Sequence, residues 1–574
     1  MKHSVSSSFH AIGLLLISFL LVTPLLAQRR PVEARHGMVS SVHELGSAAG
    51  VEILKKGGNA VDAAVATGFA LASTYPSAGN LAGGGFMLIH LADGNRQIMI
   101  DYREAAPALA SRDMYLAPDG SVMTDLGSAR VGWRASGVPG TVAGLAEAFA
   151  KYGSGKVTWA EVIEPARRLA EGHVLTQGAV ANLRAAAPLL SRFEESKRIY
   201  LNSGAGWQAG DTWRQPELAA TLARLQTNGP REFYEGVTAE RIAAAMEKNG
   251  GTLRLPDLKN YRAIERVPLR LIYRGHEIVS LAPPSSGGIA LLQMLAMIEP
   301  FDVRALGQDS AAKYHLFHEV MRRAFRDRIE YLGDPGFVDV PVARLLAPSY
   351  LKSRMATFDP LRATPSDTVK PGLDAPHESR ETTHYSVVDA EGNAVSNTYT
   401  LRNSFGSGVT IPGTGLLMNN IMDDLASKVG APNALGLIQG PANAIEPGKR
   451  AVSSISATMV FKDGKLLLVT GSPGGPTIIN TVFQVITNVI DFQMPVMQAV
   501  EAPRVHHQWM PDHLEYERFG MSTDTVAALR AMGHMPSERP TYQGEAETIM
   551  IDPVSGLRLG ASDPRQADTK SIGY

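Results

Sequence analysis

The 574-residue chain contains no cysteine. Disulfides, iron–sulfur clusters, thiolate zinc and a cysteine nucleophile are excluded together. An excess of charge is missing too. Fifty-five Lys and Arg stand against 56 Asp and Glu, a net charge of −1, and no basic run offers a nucleic-acid surface. Past residue 27 no stretch is apolar enough for long enough to span a bilayer. Several common chemical devices are also absent. There is no Gly-x-x-x-x-Gly-Lys phosphate loop, and Gly413-Thr414-Gly415 lacks the third glycine of a dinucleotide fingerprint. His43-Glu44 and His318-Glu319 have no second histidine at zinc-protease spacing. Gly471-Ser472-Pro473-Gly474-Gly475 has the wrong spacing for a nucleophile elbow. His506-His507 is an adjacent pair whose rings face opposite ways on a strand. Nothing calls for a metal or a cofactor.

What is present is the material of a large folded protein. Hydrophobic residues are 44% and charged residues 19%, and the length corresponds to about three or four domain equivalents. Residues 1–27 read as a secretory signal: a weakly basic start, a 16-residue apolar stretch and a small residue before Gln28. A periplasmic or secreted protein is expected, with no stable membrane span once the signal is removed. Residues 41–56 predict a helix stopped by Gly57-Gly58. Asn59 is placed to cap a second, Ala- and Val-rich helix over 60–73. A glycine-rich turn over 76–85 feeds a strand, 86–91, and a hairpin through Asp93-Gly94. Residues 141–330 look mainly helical.

The composition then changes. Residues 358–381 carry four prolines and many charges, and predict an exposed linker. Directly behind it, Thr382-Thr383-His384-Tyr385-Ser386-Val387-Val388 predicts a strand, a turn at 390–392 and a second strand over 393–401. A later pair, 456–462 and 465–470, is joined by Asp463-Gly464, and 480–490 reads as an apolar helix. Alternating strands and helices argue for layered α and β.

A threonine hydroxyl needs a base to act as a nucleophile. Cleavage just before it would free an α-amine of pKa ~7.7–8, close to working pH. An exposed segment running into a rigid strand at Glu381-Thr382 supplies such a junction. An ordinary linker meeting a Thr-rich strand has the same pattern. If Asp389 faces Asn393, the register sets Thr382 opposite Thr400, give or take one residue. Gly474-Gly475, between a strand and a helix, offers backbone N–H groups suited to an oxyanion, or simply makes a tight turn.

The Thr382–Asp389 motif, Asn419-Asn420-x-Met422-Asp423-Asp424, Ser453-Ser454 and Thr470-Gly-Ser-Pro-Gly-Gly475 together resemble the small subunit of γ-glutamyltranspeptidases. Gly58-Asn59-Ala60-Val61-Asp62-Ala63-Ala64, Gly83-Gly84-Gly85-Phe86-Met87, Asp101-Tyr102-Arg103-Glu104 and Gly560-Ala561-Ser562-Asp563-Pro564-Arg565 extend the resemblance over nearly the whole mature chain. It implies the N-terminal-nucleophile hydrolase fold, a four-layer αββα sandwich. It implies self-cleavage between Glu381 and Thr382 into a large subunit, 28–381, and a small one, 382–574, which stay together as a heterodimer. Thr382 would be both the agent of cleavage and the catalytic nucleophile. It would attack the γ-amide of glutathione or another γ-glutamyl donor and pass the acyl group to water, an amino acid or a peptide. Thr400 would orient the nucleophile, and Gly474 and Gly475 would hold the oxyanion. Arg103, Ser453 and Ser454 would bind the donor α-carboxylate, and Asp424 its ammonium. Residues 432–440 resemble the lid loop.

Three positions depart from the family. Arg402 stands where an Asn is usual, Ile421 where Glu or Gln is usual, and Leu435 where some bacterial relatives have Tyr. The first two family residues help bind the donor ammonium, which Ile cannot accept and Arg should repel. Donor identity is therefore open between γ-glutamyl compounds and, as for related acylases, glutaryl amides or poly-γ-glutamate. A reading of another class is an unprocessed binding protein that only captures its ligand.

Overall fold

A computed structural model describes residues 29–370, 382–429 and 441–574. Two seven-stranded, wholly antiparallel sheets form its centre. The first runs in the order Lys570–Gly573, Met38–Ser41, Thr383–Val388, Ala394–Thr400, Gly84–Leu91, Arg96–Asp101, Ile264–Arg266. The second runs Val32–Ala34, Arg558–Ala561, Thr548–Ile551, Lys465–Thr470, Thr458–Lys462, His276–Ser280, Leu269–Tyr273.

The alternation of side chains along each strand produces three apolar layers. Phe86, Leu88 and Met99 of the first sheet meet Val279, Met459, Val469 and Ile549 of the second. The opposite face of the first sheet, with Val39, Tyr385, Val387 and Tyr399, packs on the helices Glu44–Lys55 and Ala60–Thr74. The outer face of the second, with Ile278, Val460 and Leu468, packs on Gly287–Ile298, Ala311–Tyr331 and Thr477–Ile490. This is the expected αββα sandwich.

The Ala60–Thr74 helix shows how the sequence builds the support under the first sheet. Asn59 caps it, accepting from the N–H groups of Val61 and Asp62, while Asp62 accepts from Asn59 N–H. Small residues let it lie wholly buried. At Gly68 a Cβ would stand 2.8 Å from the Tyr385 hydroxyl, and Tyr399 Oη donates to Gly68 O at 2.9 Å. Only glycine lets this helix approach the sheet so closely.

Residues 141–330 are mainly helical, as expected, and also contribute Ile264–Arg266 to the first sheet and the Leu269–Tyr273/His276–Ser280 hairpin to the second. Residues 358–370 are largely exposed, as expected, but the segment is docked on the body of the protein rather than free. Thr364 donates from both N and Oγ1 to Glu319 (3.0 and 2.6 Å). Arg322 Nε donates to Ser366 Oγ at 2.9 Å, Ser366 N to Asp512 Oδ2 at 2.8 Å and Trp509 Nε1 to Ser366 O at 2.7 Å. Buried charges on the Ala311–Tyr331 helix satisfy this polar segment in place of water. Residues 1–27, expected to be a signal, residues 371–381 and the 432–440 segment lie outside the described residues.

Phe86 is fully buried in the layer between the sheets. Phe86→Ala should destabilise by ~3–5 kcal/mol, measured by denaturant unfolding. A loss under ~1 kcal/mol would mean that the sheets are not held together through this layer.

Candidate active site

Thr382 immediately precedes the central strand Thr383–Val388, and its hydroxyl is buried with no hydrogen-bond partner among the described residues. Thr383 pairs with Tyr399, so one step back sets Thr382 beside Thr400, and Asp389 N donates to Asn393 O at 3.0 Å at the other end. The register expected from the turn is the one observed. Alternation places Thr382 on the face carrying His384 and Ser386, which looks toward the second sheet. Ser386 Oγ donates to Glu547 O at 2.8 Å there, and His384 packs against Gly471 so tightly that a Cβ would come within 2.4 Å of the ring. Burial pushes His384 down to about 3, so the imidazole is neutral, with Nδ1 2.7 Å from Thr398 Oγ1.

Gly474 and Gly475 follow the strand Lys465–Thr470 of that second sheet and lead into the helix Thr477–Ile490. Their φ values are +123° and +61°, and a Cβ on Gly474 would lie 2.5 Å from Thr477 Oγ1. The Gly474 carbonyl accepts from Thr477 N and the Gly475 carbonyl from Ile478 N, while their own N–H groups donate to nothing among the described residues. Gly474 and Thr382 line one cavity of about 630 Å³. A hydroxyl without a partner and turn N–H groups without acceptors thus meet where the two sheets face each other.

A chain of contacts leads from this hydroxyl pair to a buried charge cluster. Arg402, at φ +83°, donates from N to Thr400 Oγ1 at 2.7 Å. Its guanidinium reaches Asp424 Oδ1 at 2.9 Å and Asp423 Oδ2 at 2.7 Å. The second oxygen of Asp424 accepts from Arg103 Nη2, and Arg103 Nε donates to Ala451 O at 3.2 Å. Asp424 therefore has an arginine on each oxygen. Burial pushes its pKa up, opposed by Arg402 and Arg103. Ile421 is not turned to these charges. It packs with Ala106, Tyr115, Met422, Leu425 and Ile445, against Gly137.

Ser453 and Ser454 lie on the other flank of Arg103. Ser286 donates to Ser453 O from both N and Oγ (2.7 and 2.8 Å). Arg328, from the Ala311–Tyr331 helix, donates to Ser454 Oγ and Ser286 Oγ, both at 2.9 Å. Its burial pushes the guanidinium down to about 9, opposed by Asp424. Sequence reasoning missed Arg328, and the only signal for it was an arginine in a stretch otherwise reading as helix surface. Glu104 was passed over as well. Its carboxylate is fully buried, accepts no hydrogen bond and lies 3.5 Å from Arg103 Nη1, and burial pushes it up to about 7 against the pull of Arg103. Glu381, the other member of the expected cleavage pair, lies outside the described residues.

His315, Glu319 and His534 also bring ligand atoms within 4.8 Å of one another. Glu319 is already bound by Arg322 and Arg323, and His315 Nδ1 lies 2.7 Å from His534 Nε2. Two arginines on the only carboxylate disfavour a cation.

Two antiparallel sheets between helical layers, with a threonine leading a central strand and glycine N–H groups opposite, define the class of N-terminal-nucleophile hydrolases. The model for gamma-glutamyltranspeptidase matches residues 46–573. The glutathione hydrolase proenzyme of Escherichia coli (strain K12) is 47% identical over 546 residues, covering 95% of this chain and 93% of that protein. Among solved structures, the cephalosporin acylase from Bacillus halodurans superposes with a TM-score of 0.84 at 26% identity, over 96% of this chain and 98% of the other. The gamma-glutamyltranspeptidase of Helicobacter pylori matches 59% of this chain and 96% of its own at 41% identity and a TM-score of 0.56. The chain belongs to the gamma-glutamyltranspeptidase family.

Glu104 generates a pH prediction. Its folded pKa, about 7, lies above the ordinary 4.5. The folded state therefore binds the proton more tightly, and stability falls as pH rises from about 4.5 to about 7. Glu104→Gln should match the wild type near pH 4 and exceed it near pH 8 by an amount on the order of 3 kcal/mol. Stability curves that run parallel from pH 4 to 8 would show that Glu104 does not titrate in this range.

Proposed function

We propose that this protein is a secreted or periplasmic, self-processing γ-glutamyl hydrolase/transferase with Thr382 as its nucleophile. The observation that carries the reading is the buried, unpartnered Thr382 hydroxyl at the head of a central strand, facing the Gly474-Gly475 turn. In the precursor, Thr382 Oγ attacks the Glu381 carbonyl, and hydrolysis of the resulting ester frees the threonine amine. In the mature enzyme that amine takes the hydroxyl proton as Oγ attacks the γ-carbonyl of the donor. The N–H groups of Gly474 and Gly475 stabilise the oxyanion. The leaving amine departs protonated, and water or an acceptor amine resolves the ester. Thr400 positions the nucleophile, while Arg103, Ser453 and Ser454 receive the donor carboxylate. The large chain, 28–381, and the small one, 382–574, remain together, because both sheets contain strands from each side of the junction.

Glutathione and related γ-glutamyl amides are the primary donors in this reading. One observation favours a second class. In the γ-glutamyl reading Asp424 must accept the donor ammonium, yet both its oxygens are held by Arg402 and Arg103. The lost family contacts at Arg402 and Ile421 are charged hydrogen bonds of ~1.5–3 kcal/mol each. Donors that keep the carboxylate but lack the ammonium, such as glutaryl amides, should therefore be accepted.

Three measurements test these assignments. The smaller band on a denaturing gel should begin Thr-Thr-His-Tyr, and Thr382→Ala should remain one chain; spontaneous cleavage of that variant would remove Thr382 from its role. Arg103→Ala should mature normally but lose roughly 30- to 1000-fold in kcat/KM, from ~2–4 kcal/mol of lost binding, and unchanged kinetics would take Arg103 out of the donor pocket. Glutaryl-p-nitroanilide should be hydrolysed within about tenfold of γ-glutamyl-p-nitroanilide, with Arg402→Asn/Ile421→Glu restoring preference for the amino donor. A natural preference above roughly a thousandfold for the γ-glutamyl anilide would mean that another group holds the ammonium.

A further inference from the structure

Arg328 is 1% exposed and stands on the Ala311–Tyr331 helix, outside every segment assigned so far to the donor. An apolar side chain would pack that helix on the second sheet without the cost of burying a charge. The guanidinium instead joins two segments far apart in sequence. Nε donates to Ser286 Oγ and Nη2 to Ser454 Oγ, both at 2.9 Å, and neither serine is more than 2% exposed. A planar fork holds two oxygens in a fixed relation, which a flexible ammonium cannot do.

Around this fork the segments 284–286 and 453–455 are already stapled together. Ser453 N donates to Pro284 O at 3.0 Å, Ser286 N and Oγ donate to Ser453 O, and Ser285 Oγ donates to Ile455 O. The backbone at 453–455 is therefore held by contacts that do not involve Arg328. What the arginine adds is the direction of two hydroxyls. Ser286 shows how: its oxygen accepts from Nε, and its one proton goes on to Ser453 O. A hydroxyl that accepts from a guanidinium must turn its own proton away from it. Ser454 is under the same constraint. Arg103, bonded to the carbonyls of Ala451 and Val452 at 3.2 and 3.4 Å, is attached to the same short segment.

We propose that Arg328 is a positioning residue for the donor carboxylate: by donating to Ser454 Oγ, it turns that hydroxyl's proton toward the incoming anion. The inference rests on the acyl-transfer reading above, in which Arg103, Ser453 and Ser454 receive that carboxylate. Arg328 itself does not touch the donor.

The test uses the processed full-length enzyme and whichever anilide it cleaves better, γ-glutamyl or glutaryl. Arg328→Gln should raise KM about 10- to 100-fold, the range of one charged hydrogen bond, with kcat changed by less than about threefold. The same substitution is then made in Ser454→Ala. There it should change KM by less than about threefold, because the hydroxyl through which it acts is gone. An arginine that merely braces the segment would raise KM by the same factor in both backgrounds, since Ser453 and Arg103 would shift with it. If Arg328→Gln does not fold, Arg328→Lys, which keeps a buried charge but not the fork, enters the same cycle with an expected rise of about five- to tenfold. An unchanged KM in the folded variant, or equal factors with and without the Ser454 hydroxyl, overturns the positioning role and leaves acyl transfer intact. A wild-type KM in Ser454→Ala overturns both the positioning role and the carboxylate contact beneath it. Cleavage of neither anilide overturns the acyl-transfer reading itself.

Discussion

Everything at the candidate site hangs on the placement of Thr383–Val388 as an interior strand, hydrogen-bonded to Met38–Ser41 on one side and Ala394–Thr400 on the other. A strand paired on both edges holds its first residue to within the tolerance of the ladder. It also holds it when the chain before it is cut, because neither set of hydrogen bonds depends on that peptide bond. The proposed nucleophile could thus be a chain end and still be rigid. The same pairing puts Thr400 next to Thr382, and the period of two turns both toward the second sheet, where the glycine turn lies.

Charge is managed in the opposite way. Whereas the hydroxyl and the turn N–H groups are left without partners, the ionised groups beside them are crowded together. Arg103, Arg402, Asp423 and Asp424 form one buried cluster, with Arg328 behind Ser454 and Glu104 beside Arg103. Three buried guanidiniums face three carboxyl groups, and burial pushes those of Asp424 and Glu104 up. Burial thus works against the negative charge of the cluster and not only its positive charge, which favours an incoming carboxylate over an incoming ammonium.

Much of this was legible in the sequence, for local reasons. The 382–401 hairpin announces itself by β-branched residues around a Glu391-Gly392 turn, and its register follows from turn length alone. Gly474-Gly475 was readable as a strand-to-helix turn. The Leu269–Tyr273/His276–Ser280 hairpin carried the same kind of signal at Arg274-Gly275, but it sits between long helical stretches that hid it. Residues 358–370 are exposed, as their prolines and charges imply, but their docking was not readable, because only the fold brings Glu319, Arg322 and Asp512 to meet them. Arg328 is the same case in reverse, a charge in an amphipathic pattern whose partner serine lies 126 residues away. Pairings of that range are invisible to periodicity.

Each sheet interleaves strands from before residue 371 with strands from after residue 381. If the junction between them is cut, as proposed, the native state becomes a complex of two chains neither of which owns a whole sheet. Refolding after denaturation then changes from a unimolecular to a bimolecular reaction, with a midpoint that depends on protein concentration. Before the cut the joining segment supplies an effective concentration that dilute fragments lack. On the proposed cleavage, folding has one opportunity under those favourable conditions, and maturation spends the tether that provided it.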